Sequence, residues 1–240
     1  MNVAIEKSVR ELALENPAAT RIFEKLGIDY CCGGGKSLEE ACRAANLNIN
    51  EVLDSLENAC RASEPQTDRN WQIEPLTSII AHIQDTHHQY TRQEIARLDP
   101  LFKKVCGVHG KNHPELLRIY GLFQGLAQEL SAHLMKEEMI LFPYIIRLEA
   151  AVTGHEPIAR PPFGSVQNPV SMMEHEHDSA GNALRAMREA ANGYSAPADA
   201  CVSYQTLYKA LADFEADLHQ HIHLENNILF PRAIAIESAH

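Results

Sequence analysis

The sequence predicts an all-α protein, an up-down-up-down four-helix bundle behind a small helical domain. Three observations predict it. Apolar residues recur at helical spacing over most of the 240 residues. The second part of the chain divides into four long amphipathic stretches joined by short to moderate loops. One stretch, His-x3-Glu followed by Leu-Phe-Pro, occurs twice in the same register.

Residues 2–26 carry an apolar face at Val9, Leu12, Ala13, Phe23 and Leu26, broken near Asn16-Pro17. Asn16 is placed to cap the second piece, Pro17 suits its first turn, and Gly27 ends it. Next comes Asp29-Tyr30-Cys31-Cys32-Gly33-Gly34-Gly35-Lys36, then Ser37 and Glu40 at capping-box spacing. Two thiols thus sit on a mobile glycine turn near a helix N-terminus with Lys36 adjacent, conditions that lower a thiol pKa. Helical period continues to about residue 60, and the polar, aperiodic 63–71 stretch is a linker. The expected domains are therefore 1–62 and 72–240. The first has a marginal core that leans on the second domain or on a partner chain, as in a homodimer.

In the second domain, Leu76, Ile79, Ile80, Ile83, His87, Tyr90 and Leu98 mark a long helix ending between Pro100 and Gly107. The second helix begins around Asn112-His113-Pro114 and runs through Leu117, Tyr120, Phe123 and Leu130 to His133 and Glu137. The stretch 153–169, rich in Gly and Pro, is the central connection. The third helix carries Val170, Met173, His177, Leu184 and Met187, with Gly193 past its end. The fourth opens after Ser195-Ala196-Pro197 and carries Leu207, Leu211, Phe214, Leu218, His221, Glu225 and Phe230. In such a bundle a cofactor sits in the core between facing helices.

The net charge is −11 and no Lys/Arg-rich run is present, which argues against nucleic acid or an anionic membrane surface as partner. No apolar run reaches the length of a bilayer span, and the first residues lack the basic and apolar regions of a signal peptide. The expected location is cytoplasmic. There the six cysteines are expected as thiols, with Cys42, Cys60, Cys106 and Cys201 as buried small apolar residues.

The repeated stretches are His133-Leu-Met-Lys-Glu137-Glu138 and His221-Ile-His-Leu-Glu225-Asn226, each running on to Leu-Phe-Pro. His and Glu four apart share one helix face and form a ligand pair for a transition metal. A single copy reads as a solvated pair. Two copies in matching apolar frames, in a chain with 13 histidines, read as a metal site. Glu138 is one position off the ligand face, so Glu138→Gln is expected to retain the metal. Helices one and three close the cage. His177 lies on the stripe of Val170, Met173 and Leu184, while His175 falls off it. Helix one offers His82, His87 and His88, and periodicity does not choose between the last two. His109, His113, His155, His219, His223 and His240 receive no role. No cysteine is in register, which argues against thiolate-held zinc or an iron–sulfur cluster in the bundle. Four imidazoles and two carboxylates exceed one tetrahedral zinc and suit two six-coordinate iron or manganese ions. With two bridging carboxylates and one bridging oxo or hydroxo group, roughly two positions stay open for O2 or NO.

These residues resemble the hemerythrin-like di-iron bundle and, more narrowly, the RIC family, the iron–sulfur cluster repair di-iron proteins of the YtfE/ScdA kind. The resemblance is carried by Asp29-Tyr30-Cys31-Cys32-Gly33-Gly34, the His88 region, both His-x3-Glu stretches and Glu176-His177-Asp178, and it spans essentially the whole chain. It implies an ScdA-N-like domain over 1–62 and a hemerythrin-like bundle over 72–240. It implies two oxo- or hydroxo-bridged irons held by His88, His133, Glu137, His177, His221 and Glu225, with Glu129 and Glu176 lining a route to them. His88 is preferred to His87 because the run from Trp71 to His88 aligns with the family without a gap, and the family has an aromatic residue where His87 stands. The fifth His and the Asp of oxygen-carrying hemerythrins are not matched, and the three-glycine turn is longer than the family's by one. The implied function is repair or protection of iron–sulfur clusters under nitrosative and oxidative stress. Damaged iron–sulfur proteins are the clients, and the means are iron delivery, NO reduction at the di-iron centre, or both, with Cys31 and Cys32 as thiol or iron-transfer groups. The rival reading is a non-enzymatic O2 or NO sensor or iron-binding module. NO turnover with a reductant, or iron transfer to an apo-ferredoxin, separates the two.

Overall fold

The computed structural model describes residues 6–62, 70–154 and 161–239. The linker expected at 63–71 falls mostly outside them and the connection expected at 153–169 partly, as do His155, His240 and the side chain of Cys60. Among the described residues there are eight helices and no strand. Four are short: α1 (Val9–Glu15), α2 (Pro17–Leu26), α3 (Leu38–Ala44) and α4 (Ile49–Ala62). Four are long. α5 runs continuously through Leu76–His82, Ile83–His88 and Gln89–His109. α6 runs through Glu115–Lys136, Glu137–Leu141 and Phe142–Gly154. α7 is Gln167–Ala190, and α8 runs through Val202–Leu224, Glu225–Leu229 and Phe230–Ser238. The middle segment of α5, α6 and α8 is π-wound. None of these helices is long and apolar enough to cross a membrane.

Local chemistry sets the short helices. Ser8 and Glu11 form a capping box on α1, and Ser37 and Glu40 form another on α3. The Asn16 side chain accepts from the Ala18 N–H with Pro17 at the start of α2, and Gly27 closes that helix at φ 68°. The long helices depart from expectation at two ends. α5 passes through Pro100 and reaches His109. The bond that Pro100 cannot make is that to the carbonyl of Ala96, an exposed residue, so the loss falls on the solvent side of the helix. α8 opens at Val202, beyond Ser195-Ala196-Pro197, because Pro197 and Ala200 close a turn first (Ala200 N–H to Pro197 O, 3.0 Å).

α6 packs on α7, α8 on α5, and the ring closes through α5–α6 and α7–α8 contacts. Two apolar clusters fill the bundle. One includes Leu98, Phe102, Phe123, Leu184 and Phe214, and the other Ile79, Ile83, Ile145, Val170 and Phe230. Each long helix passes from one cluster to the other, and the level between them is polar. A third cluster, including Val9, Phe23, Tyr30, Leu38 and Val52, belongs to α1–α4.

The Cys-Cys-Gly turn is tied down and not mobile. Arg10 N–H donates to Gly34 O at 2.8 Å, Val9 N–H to Lys36 O at 2.9 Å and Leu38 N–H to Lys7 O at 3.0 Å. The turn also rests on the bundle. Asn227 Nδ2 donates to Tyr30 O at 3.1 Å, and the Cys32 thiol lies 3.5 Å from His177 O. Glu24 joins His219 Nδ1 at 2.8 Å and Arg188 at 3.4 Å across the same seam.

Candidate metal centre

Each long helix delivers its ligands at the polar level between the apolar clusters. His88 on α5, His133 and Glu137 on α6, His177 on α7, and His221 and Glu225 on α8 are all buried, both glutamates completely so. Apolar packing above and below sets the height at which these side chains meet.

The backbone widens where the ligands sit. In α6 the Phe142 N–H bonds Glu137 O, and in α8 the Phe230 N–H bonds Glu225 O, five residues back in each case. Pro143 and Pro231 follow directly and have no N–H to donate. Each repeated Leu-Phe-Pro therefore marks the exit from a π turn. In α5 the π segment ends at His88 itself. Single π turns inside α-helices are rare and concentrate at functional sites.

Two groups of donor atoms result, each with all its atoms within 4.8 Å of one another. One is His88, Glu137, His221 and Glu225; the other is His133, Glu137, His177 and Glu225. Both glutamates are common to both groups. Within each group two ring nitrogens face each other: His88 Nε2 and His221 Nε2 at 3.2 Å, His133 Nε2 and His177 Nε2 at 3.0 Å.

The outer ring nitrogens fix the tautomers. His88 Nδ1 lies 2.7 Å from Glu138 Oε1, His133 Nδ1 2.8 Å from Glu176 Oε2, and His177 Nδ1 2.8 Å from Asn226 Oδ1. Each oxygen only accepts, so each Nδ1 keeps its hydrogen, and any proton gained or metal bound goes to the inward Nε2. Lone pairs at such distances repel unless a cation or proton lies between them. Both Glu137 oxygens and Glu225 Oε2 are buried without a hydrogen-bond partner. Orphaned carboxylate oxygens among inward-facing imidazoles are what a cation site presents. The donor set, nitrogen and oxygen without sulfur, fits iron or manganese.

The electrostatics of the metal-free pocket agree. Burial pushes the His133 imidazole down, but the carboxylates of Glu137, Glu225 and Glu176 outweigh it and hold it up at about 9. Burial likewise opposes His88, and Glu137, Glu225 and Glu138 raise it. Burial, with His88 beside it, leaves His221 lowered despite Glu225. Burial and mutual repulsion work against ionising Glu137 and Glu225, yet the surrounding imidazoles keep both low.

Other expected residues take different places. His87 is outside both groups; it is buried, bonds Asp217 Oδ1 at 2.9 Å and stacks on His221. His88→Leu is therefore expected to lower metal per chain after dialysis, while His87→Phe leaves it unchanged. Glu176 also pairs with Lys136, and Glu129 is exposed, accepting from Ser179 Oγ at 3.2 Å. Glu138 is off the ligand face as expected, yet it orients His88 from behind and is itself held by Arg92 at 2.8 Å. Glu138→Gln is still expected to retain metal, with weaker affinity because the hold on His88 is disturbed.

The thiols also differ from expectation. Cys31 is buried, and its thiol is pushed well up by its bond to Cys32, by burial and by Asp29. Its neighbour is the Asp29 carboxylate at 3.4 Å, while Lys36 is exposed. Both thiols line a cavity of about 90 Å³ shared with Glu24, Arg188 and His219. Cys42 is buried as expected, Cys106 is half-buried and Cys201 is exposed at a helix entrance. His219 and His223, given no role from sequence, both stack edge-on against Tyr30 and clasp the turn. Their spacing of four, offset from His221, was the available signal.

Comparison with known proteins agrees with this geometry. Residues 79–233 match the family described as hemerythrin HHE cation binding domain, and residues 5–60 match ScdA_N, a domain of unknown function. The iron-sulfur cluster repair protein YtfE of Pectobacterium atrosepticum is 39% identical over 232 residues, covering 95% of this chain and 97% of the relative. That of Musicola paradisiaca is 36% identical over 233 residues, 97% and 98% of the two chains. A probable iron-sulfur cluster repair protein of Haemophilus influenzae is 35% identical over 229 residues, 95% and 97%. With its paired His-x3-Glu helices and matches of this extent, the chain belongs to the hemerythrin HHE family and, within it, to the family of the iron–sulfur cluster repair proteins.

Proposed function

We propose that the chain is a cytoplasmic di-iron protein that repairs or protects iron–sulfur clusters damaged by nitrosative and oxidative stress. The carrying observation is that both donor groups share both glutamates. In this reading His88, Glu137, His221 and Glu225 would hold one iron and His133, Glu137, His177 and Glu225 the other, with both glutamates common to the two groups. When bound, the iron pair supplies redox chemistry toward NO or O2.

The chain's own residues do the rest. Glu138, Glu176 and Asn226 hold three imidazoles with Nε2 inward. The apolar clusters exclude water from both sides. Residues 1–62 form the ScdA-N-like domain and residues 72–240 the bundle, and the first lays Cys31 and Cys32 on the helix that carries His177. Damaged iron–sulfur proteins are the clients. Iron as cargo then has soft sulfur acceptors close to its store, and on Cys31 it would have to displace the thiol proton that burial and Asp29 hold in place.

Iron-loaded protein mixed with an apo-ferredoxin, inorganic sulfide and a thiol reductant is expected to restore the cluster, and anaerobic NO with a reductant is expected to be turned over to N2O. A protein that showed only a spectral change on gas binding would be a sensor, and the repair reading would fall.

Metal binding is expected to depend on pH in a definite sense. In the metal-free protein His133 keeps a proton up to about 9, and a metal must displace it. Apparent iron affinity should rise with pH until that value and fall below it, with proton release on binding. Titration in weakly buffered solution reads this directly, and full occupancy with no pH dependence would mean that carboxylates alone hold the metal.

A further inference from the structure

We propose that the far end of the bundle carries a second metal site, for a divalent cation of the zinc type, built by His109, His113, Asp199 and Cys201. His109 ends α5, well beyond His88, which places it about 30 Å along the helix from the first centre. The two sites are independent.

His113 lies one backbone turn beyond His109, its N–H donating to His109 O at 2.9 Å. The two rings come to 6.2 Å between centroids, and both lean on the buried ring of Tyr204, at 5.3 and 5.5 Å. Histidines one helical turn apart are a common zinc-ligand pair. Across the gap, the entrance to α8 brings Asp199 and Cys201. Cys201 holds the N-cap position of α8 but its side chain does not cap the helix. It turns to His109, with Sγ 3.1 Å from Nε2.

His113 repeats the arrangement of the bundle ligands. Its Nδ1 meets Glu115 Oε1 at 2.9 Å, and its Nε2 faces the Asp199 carboxylate at 3.1 and 3.2 Å. A neutral ring can donate to only one of two carboxylates. With Glu115 taking the Nδ1 hydrogen, the other side is lone pair against carboxylate and calls for a cation. The two pairs do not lie within 4.8 Å of one another as the bundle donors do; closed onto one ion, two imidazoles, one carboxylate and one thiolate would make a four-coordinate set suited to zinc, and the sulfur would select against magnesium and calcium. Glu115 is then the outer carboxylate that orients a ligating imidazole. Asp199 and Cys201 are exposed, so an ion can reach the site and draw the His109–Cys201 and His113–Asp199 pairs together. A proton on His113 would satisfy the two carboxylates, but it gives the His109–Cys201 contact no part.

The test uses Co2+ as probe on iron-loaded protein, both the natural chain and Cys31→Ala/Cys32→Ala. The bundle centre has no sulfur donor, so a thiolate-to-cobalt charge-transfer band reports the new site alone in the second protein. One further ion per chain with that band is expected. Cys201→Ser should abolish the band, and Glu115→Gln should weaken binding about ten- to a hundredfold. Zn2+ should protect Cys201 from alkylation, and His109→Ala should remove the protection. No further ion, a band that survives Cys201→Ser, or alkylation unaffected by Zn2+ would each overturn the proposal and leave His113 as a protonated link between two acids.

Discussion

Glu137→Leu is expected to empty both metal positions of the bundle at once. Glu137 belongs to both donor groups, so one substitution removes a ligand from each. What remains is a single carboxylate, Glu225, against two divalent charges in a pocket that is completely buried. An uncompensated buried charge costs several kcal/mol, and at about 3 kcal/mol or more the affinity falls by a hundredfold or more. Metal per chain after dialysis should therefore approach zero for Glu137→Leu, and half the natural value for His88→Leu, which touches one group only. Glu138→Gln should lose least, retaining metal but with affinity about ten- to a hundredfold weaker, because only the orientation of His88 is disturbed. If Glu137→Leu kept one metal as firmly as His88→Leu does, the carboxylate would not bridge.

The second large effect is expected at a residue that holds no metal. A Cβ on Gly34 would stand 2.6 Å from Tyr30 O and 3.0 Å from Tyr30 C, with Arg10 Cβ at 3.2 Å behind it. The first two are backbone and cannot swing aside. On its other side Gly34 O is held by the Arg10 N–H. Gly34→Ala should therefore cost about 2 kcal/mol or more and loosen the turn. Gly35→Ala meets nothing within 4 Å and should change stability by no more than about 0.5 kcal/mol. Alkylation of Cys31, only 2% exposed, reads the difference: fast in Gly34→Ala, slow in Gly35→Ala and the natural chain. Equal protection in all three would show that the turn does not depend on the close approach.

What was legible in the sequence follows its range of interaction. The caps at Asn16 and Ser37 use atoms within three residues, so spacing alone exposes them. The buried candidate ligands could be picked out because His133, His177 and His221 interrupt apolar stripes at one level and two of them carry a Glu one turn on. The residues behind the imidazoles were not. Glu138 and Asn226 each follow a ligand by one position, which a helical wheel assigns to the edge of the helix. At that edge they reach across to a ring on a neighbouring helix, a relation that needs the packed bundle. The π turns were hidden because periodicity assumes a uniform helix, although Pro143 and Pro231 inside helical stretches mark the missing donors. Lys36 misled because adjacency in the chain says nothing of which side chain faces a thiol; Asp29 does.

The π segment Glu225–Leu229 holds a ligand at its first residue and the clasp on the Tyr30 carbonyl at its third, Asn227. A ligand and a docking contact on one rigid turn are thermodynamically conjugate. Any factor by which metal favours the docked turn must equal the factor by which docking tightens the metal. A coupling of this kind would make the Cys-Cys turn an effector of the metal centre, which it meets at Asn227 and at the His177 carbonyl. Under the proposed function, a client that pulled the turn away would then lower iron affinity at the moment of contact, so that release and recognition become one equilibrium.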